Sequence, residues 1–243
     1  MHHLGQTRSA VRPDHVLQTP DTFVRAPLPG MRDATAIVHI APAQGARFTQ
    51  YTVEFASGGA TGPAVDQRFI YVLDGELRFG DETLRKDGYA YIPAGGEIEI
   101  EAASAARAAV IEKPYEALPG VFPSDILIGS ESRIAPQLLG GDSGLEVRML
   151  LPDQPPFDFA VNTMVYQPGA TLPMVEIHVM EHGLLMLEGG GVYRLGEHWY
   201  FVGAGDFIWM APSCPQWFGA LGKTPAKYLI YKDWNRHPLR TLR

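Results

Sequence analysis

Residues 184–212, LLMLEGGGVYRLGEHWYFVGAGDFIWMAP, run from an apolar stretch through an acid–glycine turn to a second stretch, a short loop, a glycine and an aromatic stretch that ends in Pro. Residues 69–95, FIYVLDGELRFGDETLRKDGYAYIPAG, repeat this order, and Gly75 matches Gly189. Repetition of a whole β pattern over such a distance predicts two copies of one β domain rather than a solenoid of short repeats.

Similar short runs of β-branched and aromatic residues flank both stretches, and Gly, Pro or Asp follows most of them. The 243 residues include 26 Gly and 20 Pro, and the apolar share of 46% is ordinary for a protein with a packed core. Many short strands joined by tight turns are typical of sandwiches and barrels. We therefore predict an all-β fold.

Changes in composition divide the chain into four parts. Residues 1–30 are polar and dotted with Pro, which predicts an extended arm suited to contacts with a partner chain. Residues 31–115 contain the first β copy, and residues 126–243 contain the second. Between them, residues 116–125 (EALPGVFPSD) have the Pro and Gly content of a linker.

Charge and cysteine content exclude several classes of protein. Lys and Arg number 20 against 27 acidic residues, so the sequence lacks the basic face of a nucleic-acid-binding protein. No apolar run is long enough for a membrane span, and the first residues do not resemble a secretory signal. The single cysteine, Cys214, excludes an intrachain disulfide and is typical of a reducing, cytoplasmic compartment.

The chemistry is concentrated in the second copy. Glu176 and His178 are two residues apart, so on a strand they project from one face, and His182 follows after a short bend. Two imidazoles and a carboxylate that converge on one pocket are typical of a divalent metal site. Tyr228 and Lys232 likewise share one strand face, and a lysine inside a barrel is expected to pair with an anion.

One rival motif overlaps this segment. His178-Val-Met-Glu181-His182 spells H-x-x-E-H, the signature of a class of zinc proteases in which both histidines share one helical face. Here Pro173 precedes the motif and Gly183 follows it directly. Because the polar/apolar alternation has period two, the segment is predicted to be strand and turn, which disfavours the protease.

The spacing of these residues resembles the cupin superfamily, in which a glycine-flanked His-x-His pair, a Glu and a later His form the metal site. The ligand slots of this sequence contain Glu176, His178, His182 and Gln216. The positions match closely, but Glu and His are exchanged and Gln replaces the last His. This altered ligand set resembles the (S)-ureidoglycine aminohydrolase family, which consists of manganese-dependent bicupins of allantoin (purine) degradation.

The phrases at 176–183, 191–193 and 228–236 are also similar to that family. The resemblance implies two tandem cupin barrels (double-stranded β-helix or jelly-roll) in a cytoplasmic homo-oligomer that acts on a small molecule. It implies one Mn2+ per chain, held by Glu176, His178, His182 and Gln216. It places substrate contacts at Glu176, Gln216, Tyr228 and Lys232, of which Glu176 and Lys232 would assist catalysis.

The first copy lacks this chemistry. Its positions equivalent to the first three ligands contain Gly62, Ala64 and Arg68, and the slot of Gln216 falls at Ile98. We therefore expect the N-terminal cupin to be structural or to form an interface. Two further functions are compatible with the sequence: a metal-dependent cupin dioxygenase or isomerase acting on another small carboxylic acid, and a ligand-binding cupin without catalysis.

Overall fold

The structure is a computed structural model that describes residues 7–237. Regular structure in this range is almost entirely strand, which confirms the all-β prediction. The strands are β1 Ala10–Val11, β2 His15–Gln18, β3 Arg32–Ile40, β4 Thr49–Thr61, β5 Gln67–Asp74, β6 Glu76–Phe79, β7 Glu82–Arg85, β8 Gly88–Ile92, β9 Ile100–Ala102, β10 Ala106–Lys113, β11 Leu127–Ser130, β12 Gln137–Leu138, β13 Leu145–Met149, β14 Ala160–Tyr166, β15 Glu176–Ile177, β16 His182–Glu188, β17 Gly190–Leu195, β18 His198–Gly203, β19 Phe207–Met210, β20 Pro215–Ala220 and β21 Ala226–Lys232.

Helical structure within residues 7–237 is limited to short 3-10 turns at Pro20–Thr22, Pro42–Gln44, Glu131–Arg133, Leu139–Gly141 and Trp234–Arg236. In the described part of the chain, no helix has the length and apolar character that a membrane span requires.

The chain forms two compact units. The N-terminal unit consists of Val24–Ala135 and Leu150–Asp158. The C-terminal unit consists of Pro136–Met149, residues 159–237 and, at the other end of the chain, the described residues up to Phe23. Each unit has its own apolar core, built around residues such as Val53 and Ile70 in the first and Leu184 and Phe218 in the second.

The central sheets of the two units have the same strand order. In the N-terminal unit the order is β11-β8-β5-β10-β4-β3, and in the C-terminal unit it is β2-β19-β16-β21-β14-β13. The turns at Gly75 and Gly189 also match, since both have positive φ (75° and 62°). A Cβ atom at these glycines would lie 2.7 and 2.4 Å from backbone carbonyl oxygens, so both turns require glycine. The observed topology therefore agrees with the internal duplication seen in the sequence.

The first residues do not form the extended arm that the sequence analysis expected. Its residues 1–6 lie outside the described range, but β1 and β2 form a hairpin, and β2 pairs with β19 inside the C-terminal unit. Leu17 is 1% exposed within that unit's core, and Arg8 donates to the Asp206 carboxylate at 2.9 Å. Val16 and Leu17, the two apolar residues of β2, are both buried, although the surrounding sequence is polar.

The unit boundaries also differ from the four expected parts. β11 follows the expected linker but pairs with β8, and so stays in the N-terminal unit. Leu150–Asp158 belongs to the same unit because the buried Asp158 carboxylate accepts hydrogen bonds from Lys113 and from Gln67, the latter at 3.0 Å. A local sequence pattern does not predict contacts between residues so far apart in the chain.

Candidate metal centre

A pocket of about 160 Å³ opens within the C-terminal unit. Leu172, Met180 and Trp234 contribute part of its apolar wall. The six side chains that the sequence analysis selected all line this pocket: Glu176, His178, His182, Gln216, Tyr228 and Lys232.

Strand pairing explains why residues far apart in sequence meet here. Glu176 on β15 lies directly opposite Gln216 on β20, and His182 on β16 lies directly opposite Lys232 on β21. Alternate side chains of a strand share a face, so Tyr228 and Lys232 project from β21 on the same side. The register of two strand pairs thus gathers five of the six residues, and His178 follows β15 directly.

Glu176 and His178 lie beside each other in the more open part of the pocket. Oε2 of Glu176 is 3.1 Å from Nε2 of His178, and the two side chains are 27% and 33% exposed. The observed separation therefore fits two neighbouring ligands of one ion.

His182 is the buried member of the set, with a ring centroid 5.0 Å from that of His178. Burial lowers the pKa of His182 to about 3, and the nearby His178 and Lys232 contribute in the same direction. The imidazole is therefore neutral at pH 7, as a metal ligand must be. Its Nδ1 atom is buried as well. The residues present thus fit a divalent cation.

Gln216 is held by a tyrosine that the sequence analysis did not select. The hydroxyl group of Tyr193 donates to Oε1 of Gln216 at 2.9 Å, and the two residues are only 1% and 4% exposed. A neutral hydroxyl group leaves the amide oxygen a second lone pair. Tyr193 therefore orients the amide without occupying all of its acceptor capacity.

Two more supporting residues, Asn162 and Tyr166, lie on β14. Asn162 lines the pocket and contacts Lys232, and the hydroxyl group of Tyr166 lies 2.8 Å from that of Tyr228. Neither residue stands out in the sequence, because its partner depends on strand register. The signal that was available for Asn162 is an amide side chain within the mostly apolar AVNTMVY run.

The H-x-x-E-H segment adopts strand and turn, as the period-two pattern predicted. His182 begins β16, and no helix occurs between His178 and His182. Glu181 is 1% exposed, and its carboxylate accepts a hydrogen bond from Nε1 of Trp209 at 3.0 Å. The helical geometry that the protease chemistry requires is therefore lacking at this motif.

In the N-terminal unit, an internal ion pair occupies the positions equivalent to His182 and Lys232. Arg68 and Glu112 lie opposite each other on β5 and β10, as His182 and Lys232 do on β16 and β21. Nε of Arg68 donates to Glu112 at 2.6 Å, and its Nη1 donates to the carbonyl of Gly62 at 2.8 Å. The guanidinium group therefore places a permanent positive charge inside the N-terminal unit, at the position that His182 occupies in the C-terminal unit.

A second group of potential ligands in the C-terminal unit consists of Asp14, His15 and Cys214. Nδ1 of His15 is 2.8 Å from Asp14, and its Nε2 is 2.8 Å from the hydroxyl group of Tyr200, so both ring nitrogens have partners. Burial, assisted by Asp14, raises the pKa of the Cys214 thiol to about 11. We interpret this group as a hydrogen-bond network that anchors the first strands.

Comparison with known proteins adds the following matches. A family model described as "Cupin domain" matches residues 162–231. The chain is 42% identical over 242 residues to "Probable (S)-ureidoglycine aminohydrolase" from Oryza sativa subsp. japonica, an alignment that covers 97% of this chain and 78% of that protein. It is 40% identical over 242 residues to "(S)-ureidoglycine aminohydrolase" from Arabidopsis thaliana, covering 97% and 80%.

A solved structure is similar over both units. The crystal structure of protein Ylba from E. coli superposes with a TM-score of 0.83 and 27% identity, covering 95% of each chain. The pair of sheets described above is accordingly a cupin fold.

Proposed function

The chain belongs to the (S)-ureidoglycine aminohydrolase family, and we propose on this basis that it converts (S)-ureidoglycine and water to (S)-ureidoglycolate and ammonia. The proposal is carried by one observation: the six side chains expected from the family resemblance line a single pocket of the C-terminal unit. The reaction is a hydrolysis, in which a C–N bond breaks, a C–O bond forms and the departing amine gains a proton.

The charges of the pocket complement this substrate. Ureidoglycine carries a carboxylate group, a ureido group and an amine on one carbon. The ammonium group of Lys232 is suited to the carboxylate, and the hydroxyl group of Tyr228 is suited to the carboxylate or the ureido group. Both side chains project from β21, so a single strand would fix the orientation of the substrate.

Glu176, His178, His182 and Gln216 would hold one divalent cation, which we propose to be Mn2+. Carboxylate and amide oxygens are hard ligands and imidazole is a borderline one, a combination that suits Mn2+. When bound, the cation supplies Lewis-acid polarisation and orientation of a substrate oxygen or of water. Glu176 lies at the open side of the pocket, and we propose that its carboxylate accepts a hydrogen bond from the departing amine.

Ammonia release from enzymatically generated (S)-ureidoglycine tests this function directly, with protein reconstituted with Mn2+. We expect turnover by the wild type and its loss in the double variant His178→Ala/His182→Ala. A cupin dioxygenase would instead consume O2 and require Fe2+, and a ligand-sensing cupin would bind the substrate without releasing ammonia. Either of these results would contradict the proposal.

We also propose that the enzyme acts as a cytoplasmic homo-oligomer in allantoin degradation. The lone, buried Cys214 is consistent with a reducing compartment. Trp199 and Phe201 are 59% and 71% exposed on β18, the edge strand of a four-stranded sheet. Exposed aromatic side chains on an edge strand are typical of a surface that another chain covers. Light scattering that shows a monomer at micromolar concentration would refute the assembly.

A further inference from the structure

One face of β14 lies behind the two side chains that would bind the substrate. Asn162, Met164 and Tyr166 alternate along this strand, so they share a face, and Asn162 and Met164 line the pocket. β14 pairs with β21 along its whole length, with Asn162 opposite Ile230 and Met164 opposite Tyr228. None of these β14 residues belongs to the proposed ligand set.

Asn162 connects this face to Lys232. Its amide group donates to the carbonyl of Val161 at 3.0 Å and accepts from Nζ of Lys232 at 2.9 Å, the orientation in which both ends are satisfied. Asn162 is only 5% exposed. The bond to Val161 fixes the amide, and the fixed oxygen then limits the positions that the flexible lysine side chain adopts.

Tyr166 has the corresponding relation to Tyr228. The two hydroxyl oxygens are 2.8 Å apart, and the residues are 0% and 2% exposed. Burial raises the pKa of both hydroxyl groups, so the pair remains neutral and fully protonated. When Tyr166 donates within the pair, Tyr228 donates to Sδ of Met164 at 3.2 Å, a weak acceptor that an oxygen atom of a ligand would replace.

We infer that Asn162 and Tyr166 are positioning residues: Asn162 directs the ammonium group of Lys232, and Tyr166 directs the hydroxyl group of Tyr228, toward the substrate. The inference rests on the proposed function for the identity of the substrate. The two hydrogen bonds themselves do not depend on it.

Asn162→Leu keeps the size of the side chain but removes the acceptor. Removal of a hydrogen bond to a charged group typically lowers an equilibrium constant by a factor of about ten to a hundred, so we expect a loss of this size in kcat/KM. The loss should appear mainly in KM, because Lys232 would hold the substrate charge before and during the reaction. Tyr166→Phe removes a hydrogen bond between two neutral groups and should lower kcat/KM about three- to tenfold.

Double-mutant cycles separate positioning from a general structural role. If Asn162 acts through Lys232, Asn162→Leu should have no further effect on kcat/KM in a Lys232→Met background, and Tyr166→Phe should have none in a Tyr228→Phe background. Equal losses in both backgrounds, or no loss in the wild-type background, would overturn the inference. Thr52→Val and Tyr91→Phe, which remove buried hydroxyl groups from the N-terminal unit, are the matched controls and should leave kcat/KM unchanged.

A readout that needs no turnover distinguishes failure of this inference from failure of the proposed function. In protein labelled with 15N-lysine, the Nζ signal of Lys232 is assigned by its absence in Lys232→Met. We expect slower exchange of its protons in the wild type than in Asn162→Leu. Identical exchange would overturn the inference for Asn162 even if the enzyme hydrolyses ureidoglycine, and slower exchange would support it even if ureidoglycine is not the substrate.

Discussion

Replacing Tyr193 with Phe removes one oxygen atom and with it the donor that holds Gln216. The two residues are almost fully buried, so water does not readily replace the lost bond. Removal of a residue that orients a metal ligand typically weakens metal binding about 10- to 100-fold. This corresponds to about 1.4–2.7 kcal/mol of binding free energy. We therefore expect Tyr193→Phe to bind Mn2+ less tightly by such a factor.

The measurement is a Mn2+ titration by calorimetry, combined with ammonia release at increasing Mn2+ concentration. Saturating Mn2+ should restore most of the activity of Tyr193→Phe, because the four proposed ligands themselves are intact. The effect on activity should therefore follow metal occupancy.

The N-terminal unit provides a matched control. The hydroxyl group of Tyr91 donates to Oε1 of Gln67 at 3.0 Å, and both residues are fully buried. Tyr91→Phe removes the same kind of bond from a tyrosine and a glutamine outside the proposed metal centre. It should reduce thermal stability without altering the Kd for Mn2+. If Tyr193→Phe binds Mn2+ like the wild type, or if both variants weaken binding equally, the assigned role of Tyr193 is wrong.

Three further results are expected. Reconstituted protein should contain one equivalent of Mn2+ by elemental analysis and none after His178→Ala/His182→Ala, whereas two equivalents in the wild type would place metal in the N-terminal unit as well. Lys232→Met should retain metal but lose about ten- to a hundredfold in kcat/KM, while Gln216→Ala should lose metal affinity and recover partly with excess Mn2+; unchanged turnover by Lys232→Met would refute its role. Burial lowers the pKa of His39 to about 3, so as the pH falls below about 6.5 protons bind preferentially to the unfolded chain. The free energy of unfolding should therefore drop by about 2 kcal/mol between pH 7 and pH 5 on account of this residue. Urea titrations of His39→Gln should lack this part of the decrease, and the same dependence of unfolding free energy on pH in both proteins would contradict the assignment.

The sequence was most informative where local pattern decides structure. Strand-forming runs and the turn glycines at 75 and 189 follow from alternation and backbone geometry, and the spacing of Glu176 and His178 predicts that they share a strand face. Family resemblance added Gln216, whose residue type alone does not indicate a ligand. These features depend on a few neighbouring residues, so a single sequence contains enough information to predict them.

Features that depend on distant pairing were missed. The pairing of β2 with β19 joins segments almost 200 residues apart, and two apolar residues in a polar segment give little indication of it. Tyr193 and Asn162 read as ordinary strand residues until the register places Gln216 and Lys232 beside them. Each of these contacts depends on which strands become neighbours, and that is decided by packing of the whole barrel.

The guanidinium group of Arg68 makes the N-terminal unit independent of metal concentration. A cation that is bound reversibly stabilises the folded state by mass action, by about 2.7 kcal/mol when its concentration is a hundred times its Kd. A cation that is part of the polypeptide cannot dissociate, so its contribution to the stability of the folded state does not depend on the concentration of a ligand. In the N-terminal unit Arg68 is such a permanent cation, balanced by Glu112. Removal of the proposed Mn2+ is therefore expected to destabilise the C-terminal unit, whereas the N-terminal unit keeps its internal charge pair. The two duplicated halves should then differ in thermal stability when Mn2+ is withheld.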